Sequence, residues 1–211
     1  FVGYRGYDNR GLDVAFPFGH GLSYTTFGYG DASASVGADG DIAVRLTVTN
    51  TGDVAGREVV QVYTSFGGSV VERAPRELKA FALVSLQPGE SREVELTVRR
   101  ADLAYWDVRV DGWIVEGGEY GIEVGASSRD LRTRTSVSVA GDDVELPLSM
   151  ASSIEEALAH PIAGPILREK LDAKFGGDDS LLRVIGNFPL NRLDGFPLPL
   201  PVIIFLVVAV I

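Results

Sequence analysis

The chain has 211 residues, 45% apolar, 23% charged and 9% aromatic, enough for one or two domains and too few for a large multi-domain enzyme. With no cysteine and two histidines, a structural zinc site, an iron–sulfur cluster and a thiol nucleophile are excluded, and no metal or cofactor is expected. Nineteen basic against 29 acidic residues leave a net charge of −10, which repels phosphate backbones and anionic lipid headgroups, so neither nucleic acid nor a membrane is expected as a partner.

Residues 1–30 are dense in glycine and aromatics and show no sustained period of 2 or 3.6, which predicts loops and short extended pieces. The first residue is Phe1, and no basic, apolar and small-residue leader follows it. The chain is therefore expected to begin inside a longer polypeptide, and the missing export signal favours the cytoplasm.

From 31 to 140 short alternating runs are separated by turn residues, as in half-buried antiparallel sheets. Ile42, Val44, Leu46 and Val48 predict a strand ending at Asn50-Thr51-Gly52-Asp53. Val60 with Val62, or Val59 with Tyr63, predict a second strand, and Leu78 to Leu86 a third. Gln87-Pro88-Gly89-Glu90 reads as a turn before Val94, Leu96 and Val98. Trp113 to Glu116, Gly117-Gly118 and Tyr120, Ile122 and Val124 read as a hairpin, and Leu131 to Val139 as a last strand. About seven short strands in about 110 residues match an immunoglobulin-like or fibronectin-like antiparallel β-sandwich.

Residues 141–211 read as a helical extension with an apolar tail. Ser152 and Ser153 each have a glutamate three residues on, a capping-box pattern that predicts a helix from Ile154, ended or kinked by Pro161. Pro165 can open a second helix with Leu167, Leu171 and Phe175 on one face, stopped by Gly176-Gly177. The ten apolar residues Val202 to Ile211 fall short of the roughly 20 a spanning helix needs, and their Val and Ile content favours strand over helix, so they read as a buried tail or the artefact of a broken gene end, with a truncated membrane anchor as the alternative.

Among motifs, Phe16-Pro17-Phe18-Gly19-His20-Gly21-Leu22-Ser23-Tyr24 is the most specific string. Two aromatics around a proline make a rigid apolar anchor, while the glycines allow a sharp bend about His20. Phe16, Pro17, Phe18, His20 and Tyr24 are the domain-anchor candidates, with His20 read as a structural hydrogen-bonder. Tyr24 stands where a dinucleotide loop needs its third glycine, which removes a nucleotide site. Asp102, Asp107, Asp111, Glu116, Glu119, Asp178 and Asp179 mark no acid/base pair and are expected to face solvent or cap turns. Trp106 and Trp113 read as core filler, with sugar stacking as the alternative.

Val2-Gly-Tyr-Arg-Gly-Tyr-Asp8 followed by Phe16 to Tyr24 resembles the junction in glycoside hydrolase family 3 β-glucosidases where the α/β catalytic half meets a C-terminal fibronectin type III-like domain. Val48-Thr-Asn-Thr-Gly52, Ala55 to Tyr63, Arg76 to Phe81, Leu86 to Glu90, Asp102 to Asp107 and Gly118 to Gly125 resemble that accessory domain. The resemblance covers residues 1 to 140 and departs at Gly6, where the family more often carries an aromatic, which loosens the packing expected there.

The resemblance implies three parts: residues 1–30, the tail end of the catalytic half and a linker; 31–140, the fibronectin type III-like sandwich; and 141–211, the extension. It implies retaining hydrolysis of β-glucosides by an aspartate nucleophile and a glutamate acid/base that both lie upstream of Phe1, so no catalytic residue is assigned to this chain. The implied partners are the upstream catalytic domains of the same polypeptide and, through them, a β-glucoside. The alternative is a standalone carbohydrate-binding sandwich.

Overall fold

The computed structural model describes residues 1–144, 147–175 and 186–195. They fall into two compact units: residues 1–106 with 113–142, and residues 107–112 with the described part of 143–211.

The first unit is an antiparallel sandwich. In one sheet β3 (Ile42–Asn50) is central, flanked on one edge by β1 (Phe27–Tyr29) and β2 (Ser33–Val36), and on the other by β6 (Ser91–Val98). The second sheet runs in the order β10 (Leu131–Val139), β9 (Gly118–Gly125), β4 (Gly56–Ser65) and β5 (Glu77–Leu86). β7 (Tyr105–Asp107) and β8 (Gly112–Ile114) form a separate two-stranded ladder.

Period-two apolar patterning sets this architecture. Ile42, Val44, Leu46 and Val48 of β3 are buried, as are Val94, Leu96 and Val98 of β6, and they meet Val60, Val62, Ile122 and Val124 of the facing sheet in one cluster. Asn50, fully buried at the end of β3, explains why the strand stops there. Its amide nitrogen Nδ2 donates to the carbonyls of Val54 (2.8 Å) and Leu86 (3.2 Å), and its Oδ1 accepts from the Thr25 hydroxyl (2.6 Å). One side chain thus ties three chain segments together.

Two expectations are corrected. The segment 1–30 is not all loop: α1 (Tyr4–Asn9) gives it one and a half helical turns, and β1 joins it to the sandwich. Nothing in the local pattern favours this helix, which begins after a left-handed Gly3 and has no side-chain cap, so its support is tertiary. The predicted hairpin across Gly117-Gly118 is absent as well. β8 pairs with β7, whereas β9 pairs with β10 and β4. The chain between β8 and β9 is held instead by the segment after β10. The Val115 amide donates to Asp142 Oδ2 (2.8 Å) and the Asp142 amide to the Val115 carbonyl (2.9 Å). The backbones of Gly117 and Gly141 pass so closely that a Cβ on Gly117 would lie 2.7 Å from the Gly141 nitrogen.

In the second unit, α2 (Ile154–Ala159) begins with the predicted capping box: Glu156 N donates to Ser153 Oγ (3.1 Å) and Ser153 N to the Glu156 carboxylate (2.8 Å). The helix ends before Pro161, and α3 (Ala163–Phe175) carries Pro165 in its first turn. Ile154, Ala157, Leu167, Leu171 and Leu190 form a core of their own. Gly176-Gly177, Asp178-Asp179 and Val202 to Ile211 lie outside the described residues, and among those described no helix is long and apolar enough to cross a membrane.

Candidate functional site

The segment before β1 lies across the outer face of the β10-β9-β4-β5 sheet. Alternation in β4 would leave Gln61 and Tyr63 exposed opposite the core-facing Val60 and Val62. Both are buried, Gln61 to 3% exposure, because this segment covers them. Tyr4 of α1 stacks on Phe18 with ring centres 4.6 Å apart and meets the Tyr63 ring edge-on at 6.2 Å. The Leu78 amide donates to the Tyr4 hydroxyl (2.8 Å), and burial pushes the phenols of Tyr4 and Tyr63 above their ordinary range.

Gln61 is the central fastener. Its Nε2 donates to the carbonyls of Gly19 (3.2 Å) and Ala126 (2.6 Å), and its Oε1 accepts from the Tyr63 hydroxyl (2.7 Å). Gly19 has a left-handed φ of 80°, and a Cβ there would sit 2.0 Å from Gln61 Oε1, so two separate constraints require glycine. The Ser128 amide donates to the Phe18 carbonyl (2.9 Å).

Ion pairs complete the clamp. Arg129 donates to Asp8 Oδ1 (3.1 Å) and to the Leu12 carbonyl (2.6 Å). Arg76 lies between Asp8 (3.5 Å) and Glu123 (3.1 Å), and Arg134 pairs with the other oxygen of Glu123. The side chains of Asp8 and Glu123 are only 5% exposed, and these arginines are their ion-pair partners. Arg5 reaches Glu77 at 2.7 Å. At Gly6, a Cβ would lie 2.8 Å from the Phe1 carbonyl, so the clamp here is built around a small residue.

The anchor candidates divide between the clamp and the solvent. Phe18 stacks within the clamp yet stays half-exposed, and Pro17 is half-buried. Phe16 is 75% exposed, tilted against the His20 ring at 5.5 Å, and the His20 amide donates to the Pro17 carbonyl (3.0 Å). Tyr24 is fully exposed and Leu22 is 94% exposed. On the same outer face Val59, Phe81 and Leu83 are exposed too, with Val59 opposite Leu83 and Gln61 opposite Phe81 in the ladder. Sequence reasoning missed Asp8, Gln61, Arg76 and Glu123, because polar residues on strands and loops read as solvent-facing until the covering segment is placed.

Trp106 and Trp113 do not fill the core. They are 45% and 69% exposed and meet at 5.6 Å with their planes 81° apart, a corner rather than a flat platform. Glu116 was expected at the surface, yet it is nearly buried and fastens the loop between β4 and β5. It accepts from the Ser69 hydroxyl (2.6 Å), the Val70 amide (2.8 Å) and Arg73 Nη2 (2.8 Å). Burial raises its pKa, but these donors outweigh that and hold it below the ordinary glutamate range. Glu58 is shifted the other way: burial raises its pKa, while the Tyr29 hydroxyl donates to it (2.7 Å). Among the described residues no three or more His, Asp or Glu side chains are grouped to hold a metal ion.

The fold and the clamp define a fibronectin type III-like β-sandwich, and residues 58–128 match the model of the fibronectin type III-like domain. Over 208 residues the chain is 38% identical to the thermostable beta-glucosidase B of Acetivibrio thermocellus, covering 93% of this chain and 28% of that one. It is 41% identical over 201 residues to an exo-alpha-(1->6)-L-arabinopyranosidase of Bifidobacterium breve, covering 92% and 26%. The crystal structure of the Bifidobacterium adolescentis GH3 beta-glucosidase superimposes with a TM-score of 0.72 at 41% identity, over 79% of this chain and 25% of that one. The chain thus spans about a quarter of the length of these relatives. Over most of its length the chain is therefore related to a segment of glycoside hydrolase family 3 enzymes, consistent with their C-terminal part, and it carries the fibronectin type III-like domain.

Proposed function

We propose that this chain is the scaffold portion of a retaining β-glucosidase that hydrolyses O-glycosyl bonds, that it supplies none of the catalytic carboxylates, and that it docks onto preceding catalytic domains of the same polypeptide. In this reading residues 1–30 are the end of the catalytic half and its linker, residues 31–140 the sandwich, and residues 141–211 an extension. The observation that carries it is the outer face of the β10-β9-β4-β5 sheet. The segment clamped there carries exposed Phe16, Leu22 and Tyr24, and Phe81 and Leu83 of β5 are exposed on the outer face of that sheet. An apolar face of this kind is what a second packed body covers. A scaffold held this firmly can fix a neighbouring catalytic loop, where a misplacement of about 1 Å costs on the order of 10²-fold in rate.

The sugar is a separate matter. Relatives of nearly equal identity are named for glucosides and for an arabinopyranoside, so the conserved scaffold does not choose between them. Exposure of Trp106 and Trp113 favours a second reading, a carbohydrate-binding sandwich, but their right-angle arrangement offers only one ring face at a time. The test is direct: the purified chain incubated with p-nitrophenyl β-D-glucopyranoside should release no nitrophenol. Turnover that follows the chain through purification would contradict the scaffold reading.

A further inference from the structure

A single histidine joins α2 to α3. His160 follows the last residue of α2 with an extended backbone (φ −68°, ψ 131°), and its amide donates to the Glu156 carbonyl (3.1 Å), closing that helix. Its carbonyl accepts from the Gly164 amide (2.8 Å), the first helical bond of the next one. This is the geometry of an N-cap residue, and it puts Pro161 at the first helical position, where a missing N–H leaves nothing unpaired. The side chain completes the cap: imidazole Nδ1 accepts from the amides of Ile162 and Ala163, at 3.2 Å each. At the start of α2 the same task falls to the hydroxyl of Ser153.

The two caps differ in chemistry. A hydroxyl keeps its acceptor at any ordinary pH, whereas imidazole accepts at Nδ1 only when neutral, with its hydrogen on Nε2. A proton on Nδ1 would turn that acceptor into a donor aimed at two other donors, and would add a positive charge at the positive end of a helix. An ordinary imidazole takes up such a proton near pH 6.5. The junction has little room to adapt. A Cβ on Gly164 would lie 2.2 Å from the Leu158 carbonyl oxygen, and Ala157 and Ala163, on either side of the junction, are buried in the core that includes Leu167 and Leu171.

Charged side chains on the elements around the cap are Glu155 and Glu156 on α2, Arg168, Glu169 and Lys170 on α3, and Arg192 in the Leu190–Gly195 turn. Glu156 stands one turn before His160, with its carboxylate bonded to the Ser153 amide (2.8 Å), and the first turn of α3 holds no acidic side chain that could take over the cap. Groups of these kinds change charge outside the range from about pH 5.5 to 8, in which imidazole is the side chain that does so.

We propose that His160 is a proton-sensitive cap: its protonation in mildly acidic solution releases the start of α3 and loosens the second unit, while the sandwich is unaffected. The device lies within the second unit and stands whether or not the sandwich docks onto another domain.

The test is amide NMR of the isotopically labelled 211-residue chain between pH 8 and about 5.5. On acidification the Ile162 and Ala163 amide resonances should move together. Hydrogen-exchange protection of Leu167 and Leu171, corrected for the intrinsic rate at each pH, should fall about fivefold or more, the factor set by a lost cap, while amides of β3 keep theirs. In His160→Asn, whose amide oxygen caps without titrating, protection in α3 should be the same at both ends of the range. His20→Gln, which removes the other histidine, should behave as the parent. Protection in α3 of the parent that does not change with pH, or an equal fall in His160→Asn, would overturn the proposal. Should His160→Asn fail to fold, the parent and His20→Gln still decide it: a fall in α3 common to both supports the cap, and its absence from either overturns it.

Discussion

The interior of the sandwich and the clamp on its outer face are adjacent parts of one unit held by different physics. In the interior, aliphatic side chains from alternate positions of two sheets interlock, and each gains its stability from removal of apolar surface from water, about 1.5–3 kcal/mol per fully buried side chain. In the clamp, a segment with almost no local structural preference is fastened by the amide of Gln61, by ion pairs of Asp8 and Glu123, and by one stacked aromatic pair. The interior tolerates exchange among apolar residues of similar volume. The clamp depends on the identity of individual polar atoms.

Truncation in the interior should have the largest effect. Ile122→Ala removes a fully buried side chain from β9 and should cost about 2–5 kcal/mol, read as a drop in the denaturation midpoint with an unchanged slope.

The polar fastening between the two loops comes next. Glu116→Gln leaves Arg73 without its charged partner in a site about one-tenth exposed, and should cost about 3 kcal/mol at neutral pH, the low end for a buried pair, since this one keeps some solvent contact. Because its donors hold the folded pKa of Glu116 below the ordinary 4.5, its contribution is present above that value and is lost as pH falls through the folded pKa. The parent should therefore lose its advantage over Glu116→Gln on acidification, and a gap between the two that stays constant with pH would contradict the assignment.

The smallest global effect should come from the clamp itself. Gly19→Ala forces a side chain into a left-handed backbone and against Gln61, at a cost of about 1–2 kcal/mol. Amide hydrogen exchange should speed up at Ser128 and Leu78, whose partners lie in the clamp, while amides of β3 and β6 keep their protection. Loss of protection in both regions alike would show that clamp and interior are not separable.

This contrast also explains what was legible in the sequence. Period-two runs placed β3, β5, β6 and β10, and the Ser153–Glu156 spacing placed the start of α2, because those signals are local. Phe16 to Tyr24 stood out as unusual, yet its attachment depends on partners far along the chain: Gln61 is 42 residues from Gly19, and Arg129 is 121 from Asp8. The false hairpin at Gly117-Gly118 has the same origin. Two glycines signal a turn, but here they allow a close approach to Gly141, a contact no local pattern announces. The two tryptophans were misjudged because exposure on a short isolated ladder differs from exposure on a sandwich strand.

The scaffold role is tested most directly by grafting this chain onto the preceding portion of the Acetivibrio thermocellus relative and assaying p-nitrophenyl β-D-glucopyranoside hydrolysis by the graft, by the truncated relative and by this chain alone. The account predicts turnover by the graft, little by the truncated relative and none by this chain. Full activity in the truncated relative, or turnover by this chain alone, would contradict it.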